Sequence, residues 1–167
     1  MNRGKANRII PLALALSFIM MLAGCSARPS STNTHKCSFK PGTGTPLFAF
    51  LDDPEVTAFA EGFETNFPEA VSVTHYTVDG GKPYEVADEK TIRAVFEALS
   101  DMTVLGECSE SAHTDDDLFY QFFMDDGDTI YFEFQSDCLM IDMRLYHLEG
   151  FDALWTALPY PYELRYD

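Results

Sequence analysis

The chain has 167 residues, is 46% hydrophobic and 14% aromatic, and carries a formal net charge of −16. That apolar content supports a packed core and excludes a disordered polyelectrolyte. The first 24 residues are at +3 and residues 25–46 again at +3, whereas residues 47–167 hold all 27 acids against five bases, for −22. So acidic a domain repels phosphate backbones, which excludes nucleic acid as the expected partner.

Arg3, Lys5 and Arg8 form a basic head, followed by the apolar run from Ile9 to Leu22. That run is shorter than the roughly 20 residues a membrane-spanning helix needs, so it reads as the hydrophobic part of an export signal. It ends in Leu22-Ala23-Gly24-Cys25. This tetrad, placed behind a basic head and an apolar run, resembles the lipobox of bacterial lipoprotein precursors. The resemblance implies a signal peptide over residues 1–24, cleavage before Cys25, diacylglycerol on the Cys25 sulfur and acyl chains such as palmitate. The protein is then anchored to the cell membrane on its extracytoplasmic face. Two acyl chains, at ~0.8 kcal/mol per buried methylene, hold a protein on a bilayer where one chain does not. Residues 26–46 are rich in Ser, Thr, Pro and Gly and read as a flexible tether.

The acidic domain is expected over residues 47–167. Asp53-Pro54 supplies an N-cap acid and a first-turn proline, and Val56, Phe59, Ala60, Phe63 and Phe67 follow as one apolar stripe, so a helix is expected as far as Pro68. Residues 71–78 are β-branched and aromatic and read as a strand, with Asp79-Gly80-Gly81 as a turn and a short return strand over 83–86. A second helix opens at Asp88 with Ile92, Val95, Phe96 and Leu99 on one face. Residues 102–105 read as a strand and 106–116 as a polar acidic loop. A hairpin over 118–124 and 129–135 turns at Asp126-Gly127, residues 138–143 and 145–148 give one or two further strands, and a short helix runs from Phe151 to Leu158. The order predicts an α+β fold: an antiparallel sheet of four to six strands, two longer helices and a short C-terminal helix.

With Cys25 acylated, Cys37, Cys108 and Cys138 remain. Export favours disulfides, and Cys108 with Cys138 is the expected pair, closing a loop of about 30 residues around the hairpin. Cys37 bonded to one of the domain cysteines is the alternative. The absence of a CxxC spacing leaves zinc-ribbon and thioredoxin-like readings without their signature.

A two-residue Asp126-Gly127 turn would set Met124 opposite Thr129 and Phe122 opposite Tyr131. Alternation then gives a core face of Phe119, Phe123, Ile130, Phe132 and Phe134. The opposite face holds Leu118, Tyr120, Phe122, Met124, Tyr131 and Glu133. That second face is more aromatic than a solvated face should be. Either a helix or the tail covers it, or Tyr120, Phe122, Met124 and Tyr131 form a binding face.

Asp115, Asp116 and Asp117 follow His113, and Asp125, Asp126 and Asp128 crowd the hairpin turn, but the calcium-loop pattern is absent, so no metal site is expected. His35, His75, His113 and His147 stand apart, Trp155 lies on an apolar stripe, and Tyr160, Tyr162 and Tyr166 mark the tail. No GxSxG, SxxK or phosphate-loop motif occurs. The expected function is therefore a non-enzymatic, lipid-tethered binding or interaction module without a cofactor. Membrane lipid is its partner through acylated Cys25, alongside a protein or small-molecule ligand. The alternative is a small extracytoplasmic hydrolase whose site is assembled only in space, detectable as a pocket joining nucleophile, base and oxyanion donor.

Overall fold

Two aspartates begin two of the helices. In the computed structural model, which describes residues 42–76, 81–111 and 117–161, Asp53 accepts from the amides of Glu55 and Val56 and starts α2 (Pro54–Gly62). Asp88 accepts from the amides of Lys90 and Thr91 and starts α3 (Glu89–Ser100). Its carboxyl is held below the usual carboxylate range, first by the Thr91 hydroxyl and then by the Thr91 amide. Before these helices come β1 (Thr45–Pro46) and α1 (Leu47–Leu51); α4 (Phe151–Ala157) is the last described helix.

The remaining strands are β2 (Ala70–Tyr76), β3 (Pro83–Val86), β4 (Thr103–Ser111), β5 (Asp117–Phe123), β6 (Thr129–Gln135), β7 (Cys138–Ile141) and β8 (Arg144–Glu149). They form one antiparallel sheet in the order β1-β4-β8-β7-β6-β5-β2-β3. The fold is thus α+β, as expected, but the sheet has eight strands among the described residues, not four to six. The two-residue β1 is too short to leave a pattern and adds a strand. β4 runs on to Ser111, through half of the segment expected as a loop, which lengthens that strand without adding one. Residues 138–149 fold as a tight hairpin, with Asp142 and Met143 both in the left-handed region at φ 49° and 64°. The first helix also ends at Gly62, earlier than its apolar stripe suggests, although Phe63 is still buried and Phe67 still packs on the core.

All four helices contribute to a single apolar core on one face of the sheet. Phe59 of α2 packs on Phe122 with ring centroids 4.9 Å apart, Phe48 of α1 on Phe132 at 6.0 Å, and Phe151 of α4 on Phe134 at 5.3 Å. Ile92, Val95 and Leu99 of α3 join the same cluster. The helices thus cover this face of the sheet except near the tip of the β5–β6 hairpin; the opposite face is the outer face.

Candidate functional site on the outer face of the sheet

The β5–β6 turn decides which side chains reach which face. The Met124 amide donates to the Asp128 carbonyl at 3.0 Å and the Gly127 amide donates to the Met124 carbonyl at 3.1 Å. Gly127 has φ 90°. The loop is therefore three residues, Asp125-Asp126-Gly127, a tight turn followed by one left-handed residue. Phe122 pairs with Ile130 and Tyr120 with Phe132. Relative to a two-residue loop the register moves by one, and a one-residue shift moves every side chain of one strand to the other face.

The expected binding face is corrected accordingly. Tyr120, Phe122 and Met124 lie in the core beneath the helices, at 0%, 0% and 8% exposure, whereas Tyr131 points outward at 64%. Phe119 and Phe123 exchange places with them, and Phe119 meets Tyr76 on the outer face with ring centroids 5.0 Å apart. Of the two readings of the aromatic face, the covered one describes Tyr120, Phe122 and Met124.

A row of polar side chains crosses the outer face instead. Asp117 on β5 pairs with Gln135 on β6, Gln135 with Cys138 on β7, and Cys138 with His147 on β8. Asp117, Gln135 and Cys138 are buried and His147 is half-buried. The amide nitrogen of Gln135 donates to the Asp117 carboxylate at 2.9 Å. Ser72 and Thr74, also buried, occupy the same face on β2. Burial first, and then the negative charge of Asp117, hold the carboxyl of Glu133 above the usual carboxylate range. Burying polar groups costs free energy unless they are hydrogen-bonded, so a transverse lane of them is a specified feature of the sheet.

Cys108 on β4 completes the row. Val104 pairs with Leu148 on the helical face, but two residues on, Gly106 pairs with His147 on the outer face, so the register shifts at Leu105. Gly106 has φ 148°, a conformation open to glycine and strained for other residues. This β-bulge turns Cys108 to the outer face, where it clusters with Cys138, Met140 and Leu145. Its sulfur lies 3.8 Å from that of Cys138. The expected partners are thus brought together, but as two thiols: a disulfide needs about 2.0 Å between sulfurs, and none is formed. One ligand atom each from Cys108, Cys138 and His147 lies within 4.8 Å of the others.

No CxxC or HxH spacing announces this cluster, because its members come from three neighbouring strands. The signal in the sequence is indirect. Reading the Asp142-Met143 pair as a two-residue hairpin turn would have placed Cys138 opposite His147.

A second concave feature lies at the tip of the β5–β6 hairpin. A cleft of about 470 Å³ opens between α2 and the turn, with Phe59, Met124 and Ile130 on its apolar wall and Glu55, Asp126 and Asp128 among its polar lining. Elsewhere, Tyr160 is buried and donates to the Lys82 carbonyl at 2.9 Å, and Trp155 is half-buried against the core. Cys25, Cys37, His35, His113, Asp115, Asp116, Tyr162 and Tyr166, with residues 79–80 of the expected turn, lie outside the described residues. No protein-family model, curated protein or solved structure matches the chain.

Proposed function

We propose that this protein is a lipid-anchored, extracytoplasmic binding module that takes a ligand combining a cationic group with an apolar body. The anchoring half of the reading rests on Leu22-Ala23-Gly24-Cys25 behind a basic head and an apolar run. The binding half is carried by the cleft between α2 and the β5–β6 turn, where carboxylates of Glu55, Asp126 and Asp128 accompany an apolar wall of Phe59, Met124 and Ile130. A concave site in which polar groups converge beside an apolar wall is a common form of small-molecule site. The net charge of −22 over residues 47–167 adds a long-range attraction for cations.

Mass spectrometry of the membrane-extracted protein tests the anchor: the expected N-terminus is a diacylated Cys25, and Cys25→Ala should leave uncut, unacylated precursor. An unmodified N-terminus, or cleavage elsewhere, removes the anchoring half. For the cleft, the full-length protein in detergent is titrated with 2-phenylethylamine and with its neutral analogue 2-phenylethanol, followed by calorimetry. The amine should bind more tightly, and the preference should vanish in the Asp126→Asn/Asp128→Asn double variant. Equal binding of amine and alcohol removes the binding half.

A further inference from the structure

The geometry points to a divalent transition-metal site, zinc by its donor set, formed by Cys108, Cys138 and His147 on the outer face of the sheet. Two thiolates bound to zinc at ~2.3 Å in tetrahedral geometry stand about 3.8 Å apart, and the sulfurs of Cys108 and Cys138 are 3.8 Å apart. The candidate donor atoms of all three residues lie within 4.8 Å of one another, a few tenths of an ångström beyond the ~4.4 Å that a sulfur and a nitrogen on one ion can span, so a small side-chain closure completes the set. Two sulfurs and one imidazole are a borderline-soft set that suits zinc and disfavours calcium or magnesium.

The backbone builds this arrangement with register. His147 lies on β8, the strand between β4 and β7, so a cysteine reaches it from each side. Cys138 is its direct cross-strand partner. Cys108 arrives on the same face after the bulge at Leu105 and the positive φ of Gly106 reverse the alternation of β4, at the start of a second register shift between Glu107 and Ser111. Without that bulge Cys108 would share the face of Val104, in the core under the helices. Bulges that re-aim a side chain are typical of functional positions.

The surroundings favour a cation as well. The Asp137 carboxylate accepts from the Cys138 sulfur at 3.9 Å, so a carboxylate stands beside the ligands. Beyond Cys138 the row continues to Gln135, which is hydrogen-bonded to Asp117, placing a fixed polar pair beside the ligands. Binding transfers one proton from each cysteine to solvent and leaves both sulfurs reduced. Three protein ligands leave a fourth coordination position for water or another donor.

Cobalt(II) is the probe. Full-length protein in detergent, reduced and then freed of reductant under anaerobic conditions, is titrated with Co²⁺. One equivalent should produce sulfur-to-cobalt charge-transfer absorption and the strong visible bands of a tetrahedral site, and Zn²⁺ should abolish both. Cys37→Ser should leave the spectrum unchanged, and His147→Gln should shift the visible bands and weaken binding by about tenfold or more. In the wild type, where folding is not in question, Zn²⁺ should protect Cys108 and Cys138 from alkylation while Cys37 stays reactive. A reduced wild type that gives no charge-transfer band overturns the proposal. So does a band that persists in the Cys108→Ser/Cys138→Ser double variant, or is lost in Cys37→Ser. So does a His147→Gln spectrum identical to wild type, or a Cys108–Cys138 disulfide mapped in the protein as isolated from membranes.

Discussion

The hydroxyl of Tyr120, at the middle of β5, donates a hydrogen bond to the backbone carbonyl of Leu158 at 3.0 Å, tying the sheet to the end of α4. Tyr120 is fully buried and Leu158 nearly so, so the bond satisfies two polar groups that water does not reach. Tyr120→Phe leaves the Leu158 carbonyl without its donor and should cost about 1–2 kcal/mol in a urea melt at neutral pH.

The same burial gives a pH signature. Desolvation raises the phenol of Tyr120 above its ordinary value of 10.0. The folded state therefore keeps a proton that the unfolded state releases. The stability this contributes is fully present below pH 10 and is lost as the pH rises beyond it. Wild-type stability should fall through that alkaline window, and the fall should be shallower in Tyr120→Phe. Parallel curves for the two proteins would show that Tyr120 ionises as readily folded as unfolded.

Phe122 and Tyr131 separate the two faces of the hairpin energetically. Phe122 is fully buried against Phe59 of α2, and Phe122→Ala should open a cavity and cost about 3–5 kcal/mol. Tyr131 is exposed on the outer face, and Tyr131→Ala should change stability by no more than about 0.5 kcal/mol. Chemical denaturation of the two variants checks the register directly, because a two-residue turn would have put these side chains on the same face.

Asp53 tests how far local chemistry carries the first long helix. Its carboxylate accepts from the Glu55 amide at 2.8 Å and the Val56 amide at 3.2 Å. Asp53→Ala should cost about 1 kcal/mol, and Asp53→Asn much less, since the amide oxygen still caps. Equal losses in both variants would mean that charge, not the hydrogen bonds, is what matters at this position.

These cases divide what the sequence makes legible from what it does not. Asp53-Pro54 and Asp88 locate helix starts because a cap is a local event, settled within three residues. The phenylalanines of the hairpin identify two strands, but their facing depends on whether the loop has two or three residues. Asp125-Asp126-Gly127-Asp128 is compatible with either. The outer-face row is harder still. Asp117, Gln135, Cys138 and His147 become neighbours only through three successive registers. Cys108 joins them only through a bulge, and a bulge leaves no periodic trace beyond one glycine. Chemistry assembled across strands is thus illegible wherever register is set by turns whose length the sequence leaves open.

Gly106 is where that dependence can be measured. At φ 148° it occupies a region that costs a residue with a Cβ about 1–3 kcal/mol. Gly106→Ala should therefore destabilise the protein within that range if the bulge persists. The alternative open to the strand is to lose the bulge, which would relieve the strain and rotate Cys108 toward the core. The two outcomes differ in chemistry as well as in stability. With the bulge kept, oxidation of the reduced variant by a mild disulfide donor should still crosslink Cys108 to Cys138, because their sulfurs start 3.8 Å apart. With the bulge lost, the two sulfurs lie on opposite faces and crosslinking should fail. A melt combined with peptide mapping distinguishes these results, and a Gly106→Ala protein that is as stable as wild type and still crosslinks would show that the turn of β4 does not depend on glycine.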